Sequence, residues 1–284
     1  MEQKLYQESK ARLDAEGWCT IPDVIGAELA GEGVRRLWAA AEANAREGYS
    51  CHLPGIDPNL NMVRILSPLQ ADGYFRDLVE NETGLEMARA VCGDNLVVAN
   101  CTANIVRPGA RPMMLHSDVA FILPEPWLHA WSVNIIWCLT DIHPDNGATR
   151  YIPGSHLWST HADIPEDAGE RLVSVTAKAG SIVVMDGRLW HTSGSNVTRD
   201  EDRALFFAYY STSFLRPMIN WNVTMKEEDK MALSPLMRDL LGLDALANNN
   251  QDNYNQVHWK GAPVGVDKAM EQFERVKNRV VDAG

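Results

Sequence analysis

The chain has 284 residues, of which 45% are hydrophobic and 23% charged, a globular composition that excludes disordered, collagen-like and coiled-coil classes. Twenty-six basic residues against 38 acidic ones give a formal net charge of −12. That balance argues against nucleic acid or an anionic membrane as the main partner, because phosphate binding needs a basic footprint. Length alone, at about 150 residues per domain, points to two domains, although all-β barrels and sandwiches often use about 200–250 residues as one.

The elements follow in chain order. Residues 2–16 have helical spacing, with Leu5 and Leu13, and stop at Gly17. Residues 26–46 are rich in Ala, Leu and Arg, lack proline and read as a helix closed by Gly48. Residues 50–70 carry three prolines and read as loop; 77–92 reads as a third helix stopped by Gly93. The texture then changes. Residues 96–106, 131–142, 181–185 and 203–214 are β-branched and aromatic runs separated by Gly, Pro and Asn clusters, the pattern of strands and turns. Helical spacing returns at 226–241 and 268–281. Strands in one block, about 95–217, with helices at both ends predict a β-sandwich or jelly roll packed by helices rather than βαβ units.

Five cysteines (Cys19, Cys51, Cys92, Cys101 and Cys138) are odd in number, widely spaced and without a C-x-x-C pair, which argues against a disulfide framework or a cysteine zinc site. The N-terminus lacks the apolar core of a signal peptide, and no run approaches the ~18 apolar residues that span a bilayer. The expectation is a cytoplasmic protein without membrane insertion. Four Asn-x-Thr sequons, at Asn81, Asn100, Asn196 and Asn222, read as chance matches.

Eight histidines prompt a search for metal ligands. His-x-Asp occurs three times, at His116/Asp118, His143/Asp145 and His161/Asp163. Residues i and i+2 on a strand point to one face and can share a ligand. His143 sits in His-Pro-Asp-Asn-Gly, a turn, and His161 lies in a polar stretch before Pro165; only His116 and Asp118 lie in a run able to be a strand. A third ligand from a distant strand is His191, after the apolar run Ser181–Met185. Two imidazoles and a carboxylate form the facial set of non-haem Fe(II) oxygenases, although zinc accepts the same donors and a core hydrogen bond is an equally good reading of His191 on its own. Arg203 follows twelve residues later across a polar turn and opens a strand. A hairpin would set it beside His191, and a guanidinium entering a barrel needs an anion such as a carboxylate. The plainer reading is a surface ion pair with Asp200 or Asp202.

The His116-x-Asp118 pair, the run Asn146-Gly-Ala-Thr-Arg-Tyr-Ile-Pro-Gly-Ser-His-Leu-Trp158, His191 with Arg203, and Leu215-Arg-Pro217 resemble the phytanoyl-CoA dioxygenase family, and within it the branch acting on secondary metabolites. The resemblance covers residues 95–220 strongly and the N-terminal helices loosely. It implies a double-stranded β-helix (jelly-roll, cupin-like) core and dependence on Fe(II), with 2-oxoglutarate and O2 as cosubstrates. It assigns Fe(II) to His116, Asp118 and His191, the distal carboxylate of 2-oxoglutarate to Arg203, and further cosubstrate hydrogen bonds to Thr149 and Ser193. Family members often carry glutamine where this chain has Met113. Asp118 disfavours halogenation, for which related enzymes replace the carboxylate by a small residue. His156, after a glycine, reads as structural.

The resemblance also implies substrate contacts at Ile136, Tyr209 and Met218. Asn134 and Ile136, if inward-facing, line the mouth with Phe121. Either Tyr209 or Tyr210 could donate a hydrogen atom, though packing is the plainer role, as it is for Trp127, Trp131, Trp137, Trp158 and Trp190. An apolar pocket suits a lipophilic small molecule. The alternatives are an acyl-CoA hydroxylase, with Arg107, Arg111 and Arg150 for the phosphates, an amino-acid hydroxylase, and a non-catalytic jelly-roll binding protein. One β core must hold ligands at 116–118, 191 and 203, so the expectation becomes a single domain over 1–284, alone or as a homodimer.

Overall fold

The computed structural model describes residues 1–244. The helix expected at 268–281 lies outside the described residues. In chain order the elements are α1 (Gln3–Glu16), β1 (Trp18–Ile21), α2 (Ala27–Arg46), β2 (Met62–Ile65), α3 (Pro68–Ala71), α4 (Gly73–Val79), α5 (Glu82–Cys92), β3 (Leu96–Val106), β4 (Ser132–Cys138), β5 (Thr149–Tyr151), β6 (Val173–Ser174), β7 (Ile182–Asp186), β8 (His191–Ser193), β9 (Arg203–Thr212), α6 (Trp221–Thr224), α7 (Glu227–Met231) and α8 (Pro235–Leu240).

Six strands form one sheet in the order β1-β7-β4-β9-β3-β2, and three form a smaller sheet, β6-β5-β8. Every pairing is antiparallel. This is the double-stranded β-helix architecture, mostly antiparallel sheet with flanking helices and not a closed barrel. The pleat sorts the large sheet's residues into two faces. Val133, Ile135, Trp137, Val184, Phe206, Ala208 and Tyr210 pack in one apolar cluster with residues of α2, α4 and α5. Ile136, Cys138, Val183, Met185 and Leu205 pack on the opposite side, toward the small sheet. Tyr210 therefore belongs to the helix side, where its hydroxyl donates to the Val79 carbonyl, and Tyr209 to the other.

Several elements differ from the sequence expectation for identifiable reasons. The helix expected at 77–92 is broken into α4 and α5, because Asn81 caps α5 by accepting from the Thr83 and Gly84 amides. The helix expected at 226–241 is likewise two, since Ser234 accepts from the Met237 amide and Pro235 opens α8. The expected loop at 50–70 contains β2, which pairs with β3, and the start of α3. Strand β1, hidden in the four residues after Gly17, pairs with β7 at the sheet edge. The sequon residues Asn81 and Asn196 are structural: Asn196 donates to the Val106 and Glu201 carbonyls and is buried. All five cysteines are unpaired.

Candidate metal centre and its cavity

His116 is not on a regular strand. It makes a single antiparallel bridge to His191, with reciprocal backbone bonds of 3.0 and 2.8 Å, and so extends the small sheet by one residue. The chain turns immediately afterwards, the Ala120 amide donating to the Ser117 carbonyl and the Ile122 and Leu123 amides to that of Val119. Asp118 is thus aimed by a turn rather than by strand alternation, and the turn is anchored by the Val119 amide on the Gly187 carbonyl. The outcome still joins the three residues. One donor atom from each of His116, Asp118 and His191 lies within 4.8 Å of the others, the only such group of three or more among the described residues. His191 Nε2 stands 3.9 Å from Asp118 Oδ1, and the two imidazole centroids are 4.4 Å apart.

The tautomers are set by the backbone. His116 Nδ1 lies 2.9 Å from the Met114 carbonyl, and His191 Nδ1 lies 2.9 Å from the Leu189 carbonyl. A carbonyl can only accept, so each Nδ1 carries the proton and each Nε2 keeps its lone pair for a metal. Burial, helped by the neighbouring His116, pushes the pKa of His191 down to about 4 and keeps it neutral. The Asn134 amide approaches the second carboxylate oxygen of Asp118 at 3.4 Å. The other two His-x-Asp pairs stay apart: His143 meets Glu201 at 2.8 Å, and His161 meets Glu125 at 3.0 Å. His156 is buried against Gly17 and bonds the Asp14 carbonyl, away from the cavity.

The expected hairpin between His191 and Arg203 does not form. Strand β8 pairs with β5, whereas β9 pairs with β3 and β4, so residues 194–202 cross from one sheet to the other. Bonds from the Val197 amide to the Asp145 carbonyl, and from the Gly109 amide to the Asn196 carbonyl, hold the crossing. Arg203 is 1% exposed and has no ion pair with Asp200 or Asp202. It donates twice to the Gly147 carbonyl, at 3.1 and 2.8 Å, and once to Asn104 Oδ1 at 2.8 Å. Gly147 has φ of +84°, and a Cβ there would stand 2.7 Å from Val106, so the turn that offers this carbonyl requires glycine. Burial pushes Arg203 down to about 9, still cationic at neutral pH. A buried guanidinium held only by neutral acceptors is a receptor for an anion.

A cavity of about 540 Å³ is lined by His116, Asp118 and His191 and also by Arg203. Thr149 and Ser193 face each other across β5 and β8 on its wall, and the Ser193 hydroxyl accepts from the Met113 amide at 3.0 Å. Asn134, Ile136 and Tyr209 line it from the large sheet, with the Tyr209 hydroxyl donating to Ser132 at 2.7 Å. Phe121 and Met218 stand at the rim, 72% and 54% exposed, the Phe121 ring 6.0 Å from that of His116. The eleven residues assigned from the sequence to metal, cosubstrate or substrate all line this cavity, whereas Tyr210, the alternative hydrogen-atom donor, lies on the helix face of the sheet.

Sequence reasoning missed other lining residues: Asn100, Thr102 and Asn104 of β3, Arg64 of β2, and Leu53 and Ile56 of the preceding loop. The signal for the first three was present, as polar residues at i, i+2 and i+4 of an apolar strand. Arg64 is held by Asp57, fully buried, at 2.5 Å, and its guanidinium also lies 3.8 Å from Met113 Sδ.

The description that matches residues 29–204, more than half of the chain, is "Phytanoyl-CoA dioxygenase (PhyH)". Dioxygenase af480 of Aspergillus fumigatus is 48% identical over 84% of this chain and 77% of that protein. Among solved structures, the non-haem α-ketoglutarate-dependent carbocyclase SnoK from nogalamycin biosynthesis superposes with a TM-score of 0.60 and 25% identity, covering 81% of this chain and 91% of SnoK. The epimerase SnoN of the same biosynthesis shares the fold, with a TM-score of 0.63 and 18% identity over 76% of this chain and 85% of SnoN. The chain belongs to the phytanoyl-CoA dioxygenase family of non-haem iron- and 2-oxoglutarate-dependent oxygenases.

Proposed function

We propose that the protein oxidises a lipophilic small molecule in secondary-metabolite biosynthesis, by hydroxylation or by desaturation, epoxidation or skeletal rearrangement. One observation carries the reading: a single cavity joins a His-Asp-His cluster to a buried arginine that has no carboxylate partner among the described residues. The donor set accepts iron or zinc, but a dicarboxylate anchor in the same cavity favours iron with 2-oxoglutarate. His116, Asp118 and His191 would hold the iron, and Arg203 would hold the distal carboxylate of the cosubstrate. Bound iron and 2-oxoglutarate supply the oxidising power, O2 being reduced as the cosubstrate loses CO2 and becomes succinate.

The chain's own residues set the conditions for that reaction. The Met114 and Leu189 carbonyls orient the imidazoles, and Asn134 restrains Asp118. Thr149 and Ser193 offer hydroxyls to the cosubstrate. Ile136, Phe207 and Met185 line an apolar wall, which would limit water around the reacting carbon. Phe121 and Met218 close on the substrate at the rim, and Tyr209 packs against it with its hydroxyl committed to Ser132. Arg107, Arg111 and Arg150 do not line the cavity, which weighs against an acyl-CoA substrate. The intact cluster and anchor weigh against a purely binding protein. The place of SnoK in nogalamycin biosynthesis supports a secondary metabolite as substrate. Among the described residues no helix is long and apolar enough to cross a membrane.

The test is anaerobic addition of iron(II) and then 2-oxoglutarate, followed by exposure to air. A weak visible charge-transfer band and succinate formation are expected. The absence of both contradicts the reading.

A further inference from the structure

The cavity has two unlike walls. Ile136, Met185 and Phe207 make one apolar. On β3 the cavity-facing residues are Asn100, Thr102 and Asn104. Asn104 is engaged with Arg203, and the Tyr209 hydroxyl with Ser132. Asn100 is not engaged in this way: its Oδ1 is buried and accepts no hydrogen bond. A β-bulge between Val98 and Asn100 rotates the strand just where this side chain enters the cavity. An amide acceptor buried without a partner is costly to a folded chain, and one that lines a cavity is open to completion by a ligand or an ordered water.

Register places Asn100 relative to the metal. Asn100 pairs with Tyr209, and Tyr209 pairs with Asn134, whose amide contacts Asp118. Asn100 therefore lies in the row of the large sheet nearest the metal ligands, two strands from Asn134, or about 10 Å between backbones. Asn134 Oδ1 is a second buried acceptor without a partner in the same row. Thr102, two residues along β3, adds a hydroxyl on the same face. Among the described residues the cavity offers no spare cation to a substrate carboxylate, since Asp57 neutralises Arg64 and Arg203 would be taken by the cosubstrate.

We propose that Asn100 and Thr102 recognise a hydroxyl group of the substrate, so that the enzyme takes a neutral lipophilic alcohol and oxidises a carbon within about 10 Å of that hydroxyl. This rests on the oxygenase reading above. Asn100 is a specificity residue: its Oδ1 accepts the substrate O–H, and the Thr102 hydroxyl donates to the substrate oxygen. A hydrocarbon or an ether of the same shape leaves the Asn100 acceptor unpaired, which is how a hydrogen-bonding site rejects an analogue that lacks the donor.

The test is calorimetric titration of the enzyme, loaded anaerobically with iron(II) and 2-oxoglutarate, with a panel of sesquiterpene, diterpene and triterpene alcohols, each paired with its methyl ether. At least one alcohol should bind about tenfold or more tightly than its ether. Asn100→Leu should bring that pair within about threefold without lowering Tm, because an unpartnered amide contributes nothing to the fold. Thr102→Val, which keeps the shape of the side chain, should narrow the preference independently. No alcohol exceeding its ether, or a preference unchanged in both variants, overturns the proposal. The loading titration separates the two readings: if 2-oxoglutarate fails to bind the iron(II) protein, the oxygenase reading is what fails.

Discussion

The two faces of the six-stranded sheet are built from the same strands, one residue out of phase, and they do different work. Toward the helices, Val133, Ile135, Trp137, Phe206 and Ala208 are fully buried and apolar, and the face serves stability. Toward the small sheet, the alternate positions include Asn100, Thr102, Asn134, Arg203 and Tyr209 among apolar neighbours. A polar side chain on that face costs folding energy and is retained where it meets a ligand or another polar group. The difference implies that substitutions on the two faces should separate, those on one changing stability and those on the other changing ligand affinity.

The sharpest break of that comparison comes from a metal ligand. His116→Ala should lower iron(II) affinity by more than about 100-fold and abolish succinate formation, with Tm of the metal-free protein changed little; equilibrium dialysis and a thermal scan check this. Phe206→Ala, on the helix face of the large sheet and next in sequence to the cavity-lining Phe207, should do the reverse. It should cost about 3–5 kcal/mol in chemical denaturation and leave the iron affinity of the folded fraction intact. Asn134→Leu tests whether the cavity face acts on the metal through Asp118, and iron(II) affinity should fall about 10-fold. The smallest effect belongs to Asn81→Ala, which removes the cap of α5 behind the sheet. Denaturation should show a loss of about 1 kcal/mol, with 2-oxoglutarate turnover per folded molecule unchanged.

Much of this division was legible in the sequence. The strands β3, β4, β7 and β9 carry β-branched and aromatic runs that declare themselves, and the His-x-Asp pair with His191 and Arg203 pointed to one site. What was not legible depends on which strand pairs with which. Nothing local in residues 191–203 says that the chain leaves one sheet for the other, because the partners that hold the crossing, the Val106 and Asp145 carbonyls and the Gly109 amide, are distant in sequence. His116 and Asp118 read as a strand by composition, but Ser117 and Val119 accept the turn bonds that end it. Ser234 and Pro235 carried a readable helix start that the wider apolar pattern obscured. Asn100 and Thr102 lie in the run 96–106 read as a strand but were singled out only as a glycosylation sequon, although their spacing places both on one face of that strand.

The central claim is that Arg203 and the His-Asp-His cluster act on one dicarboxylate in one cavity. The most direct measurement is anaerobic titration of 2-oxoglutarate into the iron(II)-loaded protein, native and Arg203→Gln, followed by the visible band. Losing a buried charged contact of this kind costs on the order of 3 kcal/mol, so the variant should bind 2-oxoglutarate about 100-fold more weakly while its iron(II) affinity is preserved. Equal 2-oxoglutarate affinity in the two proteins would contradict the account.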